Sequence, residues 1–421
     1  MTPLFKRHHM IVITALALLV ACSSGGESGT GFQQDQTTVG QITGFGSIFV
    51  NGIEFNTDQA AVQINGIDDD ELNLAVGMVV TVKGSVNADG ISGIASNVIT
   101  QTEVEGLVFQ NNVATDGTIN VMGQTVHISN DTKFKSSFTG ISVVADLVAG
   151  DSVVEVNGYS NSQGDIYATY VKVVETNTGG MASEVKLHGI VTDPTGTEAS
   201  GSFRIGAIDI NFADDATTQF IGLTRNQLLT EANLYVSVEG NNYTDGSPVT
   251  ASEIKKQDVN NESEGEELEV EGVVTDVTTL GTDAGQFALN GRIVRYDSNT
   301  QFDGGNTSDI ATGVKLEVEG AVQADSSILA HDISLRDESD MEIAGTVTAI
   351  GDNSLQITDD AQTSTLTVIV NQYTSYEDEV DSSNRYFNFN DITQDMHIEV
   401  KYYVDPDTGN VATSIKKTTM N

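Results

Sequence analysis

The sequence predicts an all-β chain, a tandem array of about five small β-barrel modules of one design. Three observations carry this. Alternating apolar and polar residues, rich in Val, Ile and Thr, recur along the chain, as half-buried strands require. The same strand–turn–strand pattern returns about every 75–80 residues, which marks an internal repeat. Helical spacing of apolar residues is nearly absent.

Each module opens on a strand with a central glycine: Val39-Gly40-Gln41-Ile42, Val104-Glu105-Gly106-Leu107-Val108, Leu187-His188-Gly189-Ile190-Val191, Val270-Glu271-Gly272-Val273-Val274 and Ile343-Ala344-Gly345-Thr346-Val347. A pair of short strands around a Gly turn follows, as in Phe287-Ala288-Leu289-Asn290-Gly291-Arg292-Ile293-Val294. Then comes Thr-x-aromatic, at Thr132/Phe134, Thr218/Phe220, Thr300/Phe302 and Thr374/Tyr376; the first module lacks it. Each module closes on a hairpin. Its first strand ends at Gly84, Gly158, Gly240 or Gly320, with Tyr402 in the variant last copy. Its second strand carries Ala95, Ala168, Ala251, Ala330 or Ala412. The turns between them are polar, such as Asn87-Ala88-Asp89-Gly90 and Asp405-Pro406-Asp407-Thr408-Gly409, as tight turns prefer.

One helical segment stands out, Thr224 to Leu234, where Leu228, Leu229 and Ala232 share a face. Thr224 with Gln227 three residues on forms a capping-box pattern. It falls between the third and fourth strands. Five strands with a short helix there is the order of an OB-like barrel, and barrel closure suits a repeat too short to cover its own edges; the alternative is a β-sandwich or an open β-meander per module.

The modules span 37–101, 102–177, 184–257, 267–338 and 340–419. Thr176–Ser183 and the acidic stretch 258–266 read as linkers. Linkers and self-repelling charge together predict an elongated array, with a radius of gyration of about 40 Å against about 21 Å for one compact body. The short junctions predict tighter packing of modules one and two, and of four and five.

The N-terminus reads as an address. Lys6 and Arg7 precede an apolar run, Met10 to Leu19, too short to span a bilayer. Leu19-Val20-Ala21-Cys22 follows and resembles the lipobox of bacterial lipoproteins. The resemblance implies a signal peptide over 1–21, lipidation of Cys22, and a flexible tether over 22–36. Cys22 is the chain's single cysteine, so an internal disulfide is excluded. The resemblance places the protein at the cell envelope, held to the membrane through Cys22. Ser23, where Asp would mark inner-membrane retention, favours the outer membrane.

The 60 acidic residues against 19 basic ones give a net charge of −41, which opposes nucleic acid and anionic membrane surfaces as partners. No cofactor, metal site or catalytic residue is predicted. His127, His188, His331 and His397 fall singly in different modules. Asp405–Asn410 and Asp68–Glu71 gather hard oxygen ligands, but the first occupies a hairpin-turn position, where Asp, Asn and Gly belong anyway. Gly44-Phe45-Gly46-Ser47 opens no helix and so makes no phosphate cradle. Aromatic side chains cluster in the last module, at Tyr386, Phe387, Phe389, Tyr402 and Tyr403, and that module is the expected binder if any is.

The expectation is a non-enzymatic, lipid-anchored binding or spacer protein. Alternatives are a carbohydrate- or calcium-binding adhesin-like protein and, third, an envelope hydrolase. The repeat as a whole, including residues 40–52 (GQITGFGSIFVNG) and 74–84 (LAVGMVVTVKG), resembles the tandem bacterial domain family DUF5666. That resemblance implies a fold and brings no reaction or ligand with it.

Overall fold

The computed structural model describes residues 34–419 except 162–163, 214–215, 233, 258–261, 336–340, 382–383 and 406–407. The predicted signal peptide and Cys22 lie outside the described residues.

The fourth module shows the design. Its first strand, Glu267–Thr279, pairs antiparallel with the second, Gly285–Leu289, which turns at Asn290-Gly291 into the third, Arg292–Tyr296. Both turn residues have positive φ, as a tight hairpin requires, and Asn and Gly tolerate it best. The third strand lies parallel to the fifth, Ile328–Leu335. The fifth pairs with the fourth, Lys315–Val322, which returns to the first. The ring order 1-2-3-5-4-1 is closed, with a helical turn at Thr307–Asp309 between strands three and four. That is the strand order of an OB barrel.

The other modules repeat this ring. Module one is built from Gln34–Phe45, Ile48–Val50, Ile53–Asn56, Val79–Val86 and Ser92–Thr100. Module two uses Val104–Asn112, Thr118–Val121, Gln124–Lys135, Val153–Ser160 and Ile166–Glu175. In module three the first strand is broken into Met181–Ile190 and Thr192–Gly196. Gly201–Ile205, Ile208–Phe212, Tyr235–Thr244 and Val249–Lys256 complete the ring. Module five uses Met341–Ile350, Ser354–Asp359, Thr365–Ile369, His397–Asp405 and Gly409–Lys417.

The repeated residues have structural jobs. Thr132, Thr218, Thr300 and Thr374 each donate a hydroxyl hydrogen bond of 2.7–2.8 Å to the carbonyl of Ala168, Ala251, Ala330 and Ala412. Each hydroxyl also accepts a backbone N–H from just upstream. The threonine thus ties the end of the strand-three segment to strand five, and the following aromatic packs on the core. The hairpin glycines sit at β-bulges, where the register slips by one residue. A Cβ at Gly158 would lie 2.2 Å from the Tyr167 carbonyl oxygen, and one at Gly84 2.1 Å from that of Ile94. Module five has the same bulge with Tyr402 in place of glycine.

The predicted helix is present but shorter, Arg225–Thr230, with Thr224 and Gln227 closing the capping box. The other modules have a single 3-10 turn there.

The arrangement of the modules differs from the elongated array the sequence suggests. The first strands of modules one and four are longer than the second strands they pair with, so their N-terminal halves overhang. These overhangs pair with each other in parallel, Thr37–Val39 against Leu268–Val270, and join two modules distant in sequence. Modules two and three are joined by Val104 and Glu105 pairing with Leu187 and Lys186, and they share one continuous core. Neither pairing is the one expected from junction length, because backbone ladders left open on a barrel are satisfied by whichever overhang is in register.

Both linker readings change accordingly. Met181 already begins a strand, and Asn177 and Gly179 donate backbone N–H groups to the Asp151 carboxylate. Residues 258–261 of the acidic stretch are outside the described residues. Of the rest, Glu262 pairs with Arg292 at 2.8 Å and Glu266 accepts from the Thr37 hydroxyl. The tether is shortened too. Gln34–Gln36 form strand with Val86–Gly84, and Gln36 reaches Glu269. The strand partner lies within module one, and the Gln36 side chain reaches across to module four.

Candidate functional site

Four modules converge on one cleft of about 530 Å³. Module two contributes the wall where strands three and five run parallel, with His127 opposite Tyr167. Cross-strand neighbours on one face meet, and these rings stack at 4.7 Å with 13° between planes. Module five faces them with Tyr373, Tyr403 and the Val411–Thr413 stretch. Module one supplies Gln41, Thr43 and Asn51, and module four supplies Glu271 and Lys315.

The floor is a buried polar junction. Glu271 is 7% exposed and Tyr159 4%. The Tyr159 phenol donates to Glu271 Oε1 at 2.7 Å, and Gln41 Nε2 donates to the same oxygen at 3.3 Å. Lys315 Nζ lies 3.1 Å from Glu271 Oε2. One carboxylate thus gathers side chains of modules one, two and four. Burial, reinforced by the Glu271 charge, drives the Tyr159 phenol well above the usual tyrosine range, so it stays a donor.

The rim is clamped. Half-buried Lys133 donates to Ser414 Oγ at 2.6 Å, the Thr413 hydroxyl donates to Asp131, and Lys401 donates to the Asn130 carbonyl. Burial pushes the Lys133 ammonium down to about 8, against the pull of Glu377 and Asp131. Arg385 of module five donates to the Glu71 and Leu74 carbonyls of module one and lies 4.1 Å from the Phe45 ring centroid. Modules one and two meet through Asn157, which accepts from the Val79 N–H and donates to Thr100 Oγ1.

Asn51 marks a difference between otherwise matching turns. In module four, Asn290 accepts the Val273 N–H with its carbonyl and donates to the Glu271 carbonyl. In module one, Asn51 donates to the Val39 carbonyl, but its own buried carbonyl oxygen has no hydrogen-bond partner among the described residues.

The candidates singled out in the sequence are dispersed. His127 lines the cleft. His188 is buried, and burial lowers its imidazole to about 4. His397 contacts Asp360 at 2.8 Å and Thr418, and His331 stands on a different barrel near Glu267. Asp405 caps its own turn by accepting from Thr408 N and Oγ1. Within Asp68–Glu71, Asp69 accepts from Asn73, Asp70 caps the following turn, and Glu71 accepts from Thr57. The aromatic cluster splits. Phe387 is core, Phe389 and Tyr402 pack on that core, Tyr386 is 53% exposed, and Tyr403 alone enters the cleft. The sequence reading missed Glu271, Lys315, Tyr159 and Asn51, whose only local signal was a polar position within an alternating strand or turn.

The family model described as Domain of unknown function (DUF5666) matches residues 38–98, 105–172, 271–334 and 344–416. The chain belongs to this family. The matched residues leave out the third barrel, which keeps the ring order but breaks its first strand and carries the six-residue helix. No curated protein matches the sequence. Among solved structures, the chain is similar to "drosophila Unr CSD456" at 14% identity and a TM-score of 0.14, covering 56% of this chain and 97% of that one. It is also similar to "Crystal structure of p204 HINb domain" at 11% identity and a TM-score of 0.13, covering 37% and 94%. The barrel assignment stands on strand order and register.

Proposed function

We propose that the chain is a lipid-anchored binding protein of the bacterial cell envelope, attached through Cys22 and facing the periplasm or the surface of the outer membrane. It performs no chemistry of its own and has no nucleic-acid partner. The binding role rests on the cleft where modules one, two, four and five meet. A spacer needs equivalent modules in a row. Here the modules differ where they converge, and their contacts hold a concave polar surface. The anchor rests on Leu19-Val20-Ala21-Cys22 after a short apolar run. The net charge of −41 argues against nucleic acid.

Metabolic labelling with a radioactive fatty acid tests the anchor. The wild-type chain is expected to take up label and pellet with membranes, and Cys22→Ser to do neither. Equal labelling of both would remove the anchor from the proposal.

A further inference from the structure

We infer that the four-module cleft binds a neutral oligosaccharide of two to three sugar units. The inference rests on the binding role proposed above and names its ligand class.

The volume, about 530 Å³, lies within the range of small-ligand sites, roughly 300–1,000 Å³. The lining is mixed in a way that suits a sugar, whose ring faces are apolar and whose edges are hydroxyls. The His127–Tyr167 stack gives a flat aromatic surface on one wall, and Tyr373 and Tyr403 stand on the module-five wall. Aromatic faces carry negative charge and attract polarised C–H groups.

Charge argues for neutrality. The cationic groups in the cleft are already engaged, Lys315 by Glu271 and Lys133 by Ser414. An anionic ligand would also meet the field of a chain at −41. Three of the four lining carboxylates are engaged as well, and the fourth, Asp303, is exposed. Glu271 holds Tyr159, Gln41 and Lys315, Asp131 accepts from Thr413, and Asp405 caps its turn. No group of three or more metal-ligating side chains is present among the described residues. Neutral polar side chains, Gln41, Thr43 and Asn51, line the module-one side of the cleft. Sugar hydroxyls both donate and accept, and amide and hydroxyl side chains provide partners of both kinds.

The full chain in detergent is titrated with maltotriose, cellotriose and triacetylchitotriose. With 11 tyrosines and no tryptophan, tyrosine emission reads the cleft without background from indole. At least one sugar is expected to bind saturably. Tyr167→Ala is expected to weaken it at least tenfold, and Tyr373→Ala likewise. Tyr386→Ala, off the cleft and exposed, leaves it unchanged. Circular dichroism of each variant confirms folding. Absence of saturable binding by all three sugars at 10 mM overturns the inference, as does tight binding that survives both cleft variants. A short peptide that binds there in their place also overturns it. Fatty-acid labelling of the same preparation shows separately whether the anchored-protein reading still stands.

Discussion

Replacing Glu271 with alanine tests whether the modules form one body. Its carboxylate accepts from Tyr159 and Gln41 and pairs with Lys315, so three modules lose a common partner. Tyr159 is 4% exposed and the Lys315 side chain 19%, so neither regains full hydration. Breaking a buried ion pair by removing one partner costs about 3–5 kcal/mol. Tyr159→Phe removes one hydrogen bond to a charged group, about 1.5–3 kcal/mol. In the double variant the phenol has no partner left to lose, so the two losses overlap by about 1.5–3 kcal/mol. For a single cooperative unit of this size, Glu271→Ala should lower the melting temperature by about 4–6 °C. Urea unfolding followed by circular dichroism measures all four members of the cycle. Losses under about 0.5 kcal/mol for each single variant, adding without overlap, would show that modules two and four do not touch and that the cleft is not assembled.

Further outcomes follow from other parts of the structure. Gly158→Ala places a methyl group 2.2 Å from the Tyr167 carbonyl and should destabilise module two by about 1–3 kcal/mol in urea titrations, whereas Tyr402→Gly at the matching bulge should not introduce such a clash. Burial raises the Glu103 carboxyl to about 7, with Ser160 opposing. The folded state therefore holds its proton more tightly than the unfolded chain, so stability falls as pH rises from about 4.5 through 7. Glu103→Gln should flatten that decline in melting temperature, and an unchanged pH profile would refute the burial. Small-angle scattering of the fragment from Gln34 onward should give a radius of gyration near 21 Å with little salt dependence, as for one compact body. A value near 40 Å would restore the elongated array.

Local rules made much of the barrel readable. The alternation at Val318, Glu319 and Gly320 gives a strand and its bulge, and Thr224 with Gln227 gives a helix start. These depend on neighbours a few residues away. The arrangement of barrels depends on contacts such as Gln36 with Glu269, 233 residues apart, which leave no local trace. The same distance hid the cleft. Glu271 looks like any outward residue of an alternating strand until another module covers it. The aromatic cluster misled for the opposite reason. Tyr386, Phe387, Phe389 and Tyr402 are close in sequence, yet Phe387 faces inward and Tyr386 outward.

The parallel contact between Thr37–Val39 and Leu268–Val270 also sets a timetable. Thr37 and its partner Glu266 are separated by 229 residues, so a ribosome working at about 5–20 residues per second delivers the partner roughly 10–50 s late. Until then module one carries an open ladder, and the same segment of another molecule fits it equally well. Exchange between copies is then a hazard of assembly, producing swapped dimers with every native pairing satisfied. The charge of −41 slows such encounters by repulsion. Acidity that leaves the fold unspecified thereby protects the connectivity, and raising the salt during refolding removes that protection.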